Sequence, residues 1–399
     1  MSVMKFTCGT SHAAGLAAAV DEACGQVTSA LGERRCHLLF VFGSRSYRGN
    51  WETAVRRLHE RLQPSALLGG TASGVIGGDQ EFEGAPALSL LAGHLPEVRL
   101  RSFAVSPETL EHASAGGFWM DTIGVIPSEQ PNFVLLTDPF TCELPDVLEQ
   151  LNRTYPNRPI IGGLASGGRA AGDHLLFEHA RVVSEGAVGV ALSGNVEMEA
   201  IVAQSCRPIG RPLVVTSAEE NVLLELAGRP ALEVLHETLV SLSPTDQKLA
   251  RSALVVGAVI NEMKSRFDCG DFLIRNLVGL DPSIGALAVS EELRIGQTMQ
   301  FHLRDPKTSQ QELRRHLAAR SLSGALPAGA LMFNCLGRGK SFYGVPHHDA
   351  RTVRTYSGAY PLGGFFANGE IGPLGGQNLI HSYTASLGLF RPAAVEPSV

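Results

Sequence analysis

Long apolar runs are missing from this 399-residue chain. No uninterrupted segment approaches the roughly 18 to 20 residues that a helix needs to cross a bilayer, so a membrane-spanning protein is not expected. Positive charge is also scarce, with 33 Lys and Arg against 39 Asp and Glu, a formal net charge of −6 and no local basic run. That balance argues against nucleic acid as a partner, because phosphate binding needs a strongly basic face. The seven cysteines stand singly at positions 8, 24, 36, 142, 206, 269 and 335, without a Cys-x-x-Cys pair or zinc-ligand spacing. They read as reduced thiols of a cytoplasmic protein with no structural metal, and nothing calls for a cofactor. The Ala-rich N-terminus is interrupted by Ser11, His12 and Gly15, too weakly apolar for a secretory leader.

What is present is apolar residues at 44% and 44 glycines, enough for two or three packed domains with many tight turns. A first helix is expected from Ser11 as N-cap to Leu31, ended by Gly32. The apolar run His37 to Ser44 reads as a buried strand. Asn50 then caps a second helix, whose Trp51, Ala54, Val55, Leu58 and Leu62 share one face. Gly-Gly-x-Ala-Ser-Gly follows at 69 to 74 and recurs at 162 to 167, each time after a short strand, which marks an internal duplication. A looser third copy runs from Gly329 to Cys335 and from Leu362 to Gly369. Between the second and third copies helices are expected from Pro230 to Leu242, from Asp246 to Met263 and from Lys307 to Arg320, with strands at 271 to 275 and 298 to 303. The fold class expected is α/β (α+β), duplicated strand-helix-strand units forming layered mixed sheets in two packed domains. The domains are 1–206 and 207–390, with 391–399 a disordered tail.

Residues able to carry chemistry gather in the last quarter. In Asn334-Cys335-Leu336-Gly337-Arg338-Gly339-Lys340-Ser341 an apolar strand ends in a glycine turn bearing a thiol and two cations. Amides freed by Gly337 and Gly339, with the Arg338 guanidinium, suit a carboxylate or phosphate; alternatively Arg338 pairs with a carboxylate of the protein itself. A P-loop reading fails because Asn334 stands where its first glycine belongs. His347, His348 and Asp349 offer metal or acid/base groups, or a polar helix cap. Asn368-Gly369-Glu370 sets an amide and a carboxylate on a rigid turn, where Glu370 receives a ligand's ammonium or holds Arg338. His381 reads as a core histidine. Cys335, beside Arg338 and Lys340, is a candidate nucleophile only if a base such as His347, His348 or His381 comes within reach.

On these residues the chain resembles the FIST family. The N-terminal likeness runs from Leu38 to about Cys206, including Leu68 to Gly74 and Pro86 to Gly93. The C-terminal likeness runs from Asn221 to about Leu379, including Gly228-Arg229-Pro230-Ala231, Phe333 to Gly339 and Gly364 to Pro373. Ala227 departs from the acidic residue expected before Gly228, so that loop is left out of the site. The resemblance implies a sensory, signal-transducing module that binds a small polar metabolite such as an amino acid. Here it would stand without an output domain and signal through a separate protein. The ligand-binding set is then Asn334, Cys335, Gly337, Arg338, Gly339, Asn368, Gly369 and Glu370. Two rivals stay open: a Cys335-dependent hydrolase or transferase, and a protein-recruiting adaptor like the family's F-box members.

Overall fold

The structure, a computed structural model, describes residues 3–47, 49–321 and 326–393. Residues 394–399 of the expected tail lie outside it, and Arg391 closes a strand, Thr384–Arg391. The architecture is mixed α/β. It divides into two compact units, one of Met1–Val202, Arg314–Ile380 and Thr384–Val399, the other of Ala203–Leu313 with His381–Tyr383. The second unit begins at Ala203, and at Arg314 the chain returns to the first.

The first unit is a triplicate. Each repeat supplies an outer strand, a central strand, a glycine strand and a return strand. They are Lys5–Ser11, Leu38–Ser44, Ala66–Ala72 and Leu88–His94 in the first repeat. In the second they are Val98–Val105, Asn132–Thr137, Ile160–Leu164 and Ala187–Gly194, and in the third Glu197–Gln204, Gly329–Cys335, Leu362–Ala367 and Thr384–Arg391. In all three sheets the order is outer, return, central, glycine, with the central and glycine strands parallel. Each sheet is completed by a hairpin from another repeat. Gly74–Gly77 with Gln80–Glu83 joins the third sheet, Leu176–Glu178 with Arg181–Val183 the first, and Glu370–Leu374 with Gln377–His381 the second.

The glycine signature has a steric cause. A Cβ on Gly69, Gly162 or Gly364 would sit 1.9, 1.8 or 1.8 Å from the carbonyl oxygen of Val41, Leu135 or Met332 on the adjacent central strand. No side chain fits there. The same contact aligns the third copy, making Gly364-Phe365-Phe366-Ala367-Asn368-Gly369 the counterpart of the two Gly-Gly-x-Ala-Ser-Gly strings.

Amphipathic helices cover the sheets. Trp51–Leu62 begins at Asn50, whose side chain accepts from Thr53 N, and buries Trp51, Ala54, Val55 and Leu58. Leu144–Thr154 buries Leu144, Val147, Leu148 and Leu151, each contributing about 1.5–3 kcal/mol when fully removed from water. The first helix is shorter than its sequence suggests: Ser11 ends a strand and the helix spans Leu16–Leu31. Lys5 to Ser11 pairs residue for residue with Leu88 to His94, which outweighs the local capping preference.

The second unit is inserted in the third repeat, between its outer strand and its first helix, Pro306–Ser321. Its strands run Cys206–Glu219, Thr298–Arg304, Leu254–Val259, Phe272–Asp281, Ala286–Val289 and Val222–Leu226, and the first and last also pair, closing a small barrel. Helices Ala231–Val240 and Pro244–Ala253 accompany it. The helix expected to reach Met263 stops at Ala253, since the apolar, valine-rich run Leu254 to Val259 is hydrogen-bonded on both edges as a strand. Among the described residues no helix is long and apolar enough to cross a membrane.

Candidate functional site

The repeated turns, distant in sequence, meet in space. Ser73 N donates to Ser166 Oγ at 3.0 Å, Ser166 Oγ donates to the Phe366 carbonyl, and Asn368 N donates to Leu164 O at 3.0 Å. Ser73, Ser166 and Asn368 occupy equivalent positions in the three copies.

In the third repeat the turn after the central strand folds Arg338 inward, leaving it 1% exposed. Its guanidinium grips Asp349 as a fork, Nε to Oδ2 at 2.7 Å and Nη2 to Oδ1 at 3.0 Å. Asn334 Nδ2 also donates to Asp349 Oδ2 at 3.0 Å, and His348 Nδ1 lies 2.9 Å from Oδ1. The Tyr343 ring stacks on His348 with centroids 3.6 Å apart and lies 5.7 Å from the guanidinium carbon. This partnership holds Asp349 well below the usual carboxylate range against the opposing cost of burial, and raises Arg338 further.

The helix His348–Ser357 opens without a cap from its own side chains. Its first amides are orphan donors that favour an anion, and Glu81, from the first repeat's hairpin, meets them. Glu81 Oε1 accepts from Asp349 N and Ala350 N, both at 2.9 Å, while Glu81 N donates to His347 Nδ1 at 2.9 Å. Burial, reinforced by the nearby Asp349 charge, pushes Glu81 up to about 8. Glu370 is fully buried, and its Oε2 accepts from Thr384 N at 3.1 Å and Thr384 Oγ1 at 2.8 Å. Burial raises it to about 8 as well, against the downward pull of those bonds, of Arg338 and of the Cys335 thiol. Among the described residues, three buried acceptors around this ion pair find no hydrogen-bond partner: Glu81 Oε2, Asn334 Oδ1 and Glu370 Oε1.

Among the residues singled out from sequence, Asn334 and Arg338 therefore meet Asp349, and Glu370 lies within electrostatic reach of Arg338 and Cys335. Arg338 has an internal carboxylate, the alternative left open for it. Cys335 is half-buried, and Gly337 N donates to its sulfur at 3.4 Å. The amide after Gly339 is taken by the protein's own anion: Lys340 N donates to Glu83 Oε1 at 2.9 Å, and a Cβ on Gly339 would lie 2.4 Å from Glu83 Oε2. Asn368 is exposed and Gly369 half-buried, with Gly369 O accepting from Leu164 N at 3.0 Å. His347 and His348 open the helix, and His381 is buried at a strand end. Glu81, Glu83, Tyr343 and Thr384 were not singled out. The only local sign of Glu81 is its place in the alternating Gln80-Glu81-Phe82-Glu83, where it is the buried residue.

The FIST N domain matches residues 37–229 and the FIST C domain residues 231–373. The uncharacterized protein Rv0628c of Mycobacterium tuberculosis is 37% identical over 391 residues, covering 97% of this chain and 100% of that one. The uncharacterized protein Mb0898c of Mycobacterium bovis is 37% identical over 377 residues, covering 93% and 95%. Among solved structures, cyanuric acid hydrolase from A. caulinodans is similar with a TM-score of 0.34 at 8% identity, covering 97% of this chain and 99% of that one.

Proposed function

Because the chain belongs to the FIST family, we propose that it is a sensory protein that binds a small polar metabolite, an amino acid or close relative, at the Arg338 cluster. The observation that carries this reading is the set of three unpartnered acceptors, Glu81 Oε2, Asn334 Oδ1 and Glu370 Oε1. An unmade hydrogen bond in the interior costs about 1–3 kcal/mol, and a ligand rich in donors, such as an ammonium, recovers it. Glu370 releases to solvent the proton that burial keeps on it and receives the ammonium, Arg338 supplies the positive field for the carboxylate, and Asn368 with Gly369 forms the rim. The signal passes to a separate signalling protein.

The test is a thermal-shift screen of the protein against the common amino acids at millimolar concentration, repeated with Glu370→Gln. A ligand present at 100 times its dissociation constant adds about 2.7 kcal/mol. The shift should disappear in the variant; a screen in which no amino acid raises the melting temperature sinks the reading.

A second reading, a Cys335-dependent hydrolase or transferase, draws on the Gly337 amide at the sulfur and on Glu370 as the neighbouring proton acceptor. It requires Cys335 to react with iodoacetamide faster than Cys8 and Cys269, which are also half-buried. Equal rates remove it.

A further inference from the structure

The barrel unit holds a cavity that the reading above does not use. It measures about 250 Å³ and lies between the helix Ala231–Val240 and the barrel wall. It opens where the long strand Cys206–Glu219 breaks register between Ile209 and Leu213. Gly210, at the break with φ of +62°, faces Thr238 of the helix, and a Cβ there would sit 2.9 Å from Thr238 Cγ2. That volume is equivalent to about eight waters at 30 Å³ each.

The walls mix apolar side chains, Leu213, Val234, Val256, Met299 and Phe301 among them, with polar ones such as Thr238 and Ser241. Two polar groups stand out. Gln300 is 8% exposed, and its Nε2 donates to Ile209 O at 3.4 Å and Gly210 O at 3.1 Å. Those two carbonyls fix the amide's orientation, and Oε1 makes no hydrogen bond to a described residue. Arg211 lies at the exposed rim, where its charge also acts on Glu237. Glu237 is gripped by Arg229 through two bonds of 2.9 and 2.7 Å, and Arg229 also binds Glu233 at 2.8 Å. The result is a small chamber of mixed lining, with the Gln300 amide in its wall and the Arg211 cation at its mouth, a combination suited to a small molecule with both apolar and polar parts.

We infer that this cavity is a second ligand site, distinct from the Arg338 cluster, for a small apolar acid that carries a hydroxyl or amino donor. The carboxylate meets Arg211 at the rim, the donor reaches Gln300 Oε1, and the hydrocarbon fills the chamber against Met299 and Phe301.

Calorimetric titration of the full chain with 3-phenyllactate tests this. Two analogues dissect it: 3-phenylpropionate, which lacks the hydroxyl donor, and 3-phenylpropane-1,2-diol, which lacks the carboxylate. The parent acid should bind at least about tenfold more tightly than either analogue. Arg211→Ala should remove the preference for the carboxylate, and Gln300→Leu the preference for the hydroxyl. Thr238→Trp, which fills the chamber from the helix side, should abolish binding. Glu370→Gln should leave the titration unchanged, so the two sites succeed or fail separately. The inference is overturned if 3-phenyllactate does not bind at millimolar concentration. Unaltered affinity in Arg211→Ala or Thr238→Trp overturns it too, as does loss of binding in Glu370→Gln.

Discussion

Asp138, just past the second repeat's central strand, and Cys335, the last residue of the third's, occupy equivalent positions, and the polar chemistry around them differs. In the second repeat Asp138 is completely buried and its partners all come from nearby turns. Oδ2 accepts from Phe140 N at 3.1 Å and Thr141 Oγ1 at 2.7 Å, and Oδ1 lies 2.8 Å from His174 Nδ1. His174 Nε2 in turn accepts from Gly168 N at 2.9 Å, so the ring is the neutral tautomer donating to Asp138. The carboxylate and the imidazole are both fully engaged, and the network pins the glycine turn. In the third repeat the buried carboxylates are more numerous, they arrive from three separate segments, and two of them keep an unpartnered oxygen. A closed network stabilises a fold; an open one leaves work for a ligand.

This contrast can be broken experimentally. Removing the hub of the open network should have the largest effect. Asp349→Ala leaves the buried Arg338 guanidinium uncompensated and should cost about 3–5 kcal/mol in chemical denaturation. A loss below about 1 kcal/mol would mean that water already reaches Arg338.

In the closed network Asp138→Ala removes three hydrogen bonds to one carboxylate but strands no full charge, so about 1.5–3 kcal/mol is expected. Its ligand binding should be unaltered once the variant is folded. A larger loss than Asp349→Ala would reverse the ranking of the two repeats.

The smallest effect per step is a pH dependence confined to the open network. Burial lifts Glu370 from an ordinary 4.5 to about 8 in the folded chain, so between those values the folded state holds a proton that the unfolded state has released. Its contribution is complete below the lower value, falls by up to roughly 1.4 kcal/mol per pH unit, and is lost above the higher one. Glu81 acts in the same direction, whereas the lowered Asp349 withdraws stability only under strong acid. Glu370→Gln should therefore flatten the decline measured by urea denaturation between about pH 4.5 and 8. An unchanged slope would show that Glu370 is ionised throughout.

Much of the frame was legible along the chain because its causes are local. The faces of the helices at 51–62 and 144–154 follow from apolar spacing, and the glycine repeat follows from a carbonyl that leaves no room for a Cβ. Arg338 and Glu370 follow two parallel neighbouring strands and lie within electrostatic reach of each other, whereas Asn368, expected beside them, is exposed. Glu81 was not legible, because the hairpin bearing it is exchanged into another repeat's sheet. Glu83 was missed for the same reason, and with it the occupant of the turn at Gly339.

The sequence by itself determined the repeated unit, its glycine strands, its buried helix faces and its family, each a matter of spacing within a dozen residues or so. Only the tertiary structure decided that the barrel interrupts the third repeat, that hairpins are exchanged among sheets, and that Asp349 neutralises Arg338 while Glu81, 268 residues before it, caps its helix. The physical reason is that packing patterns are set by neighbours along the chain, whereas a buried charge takes whichever counter-charge the topology delivers.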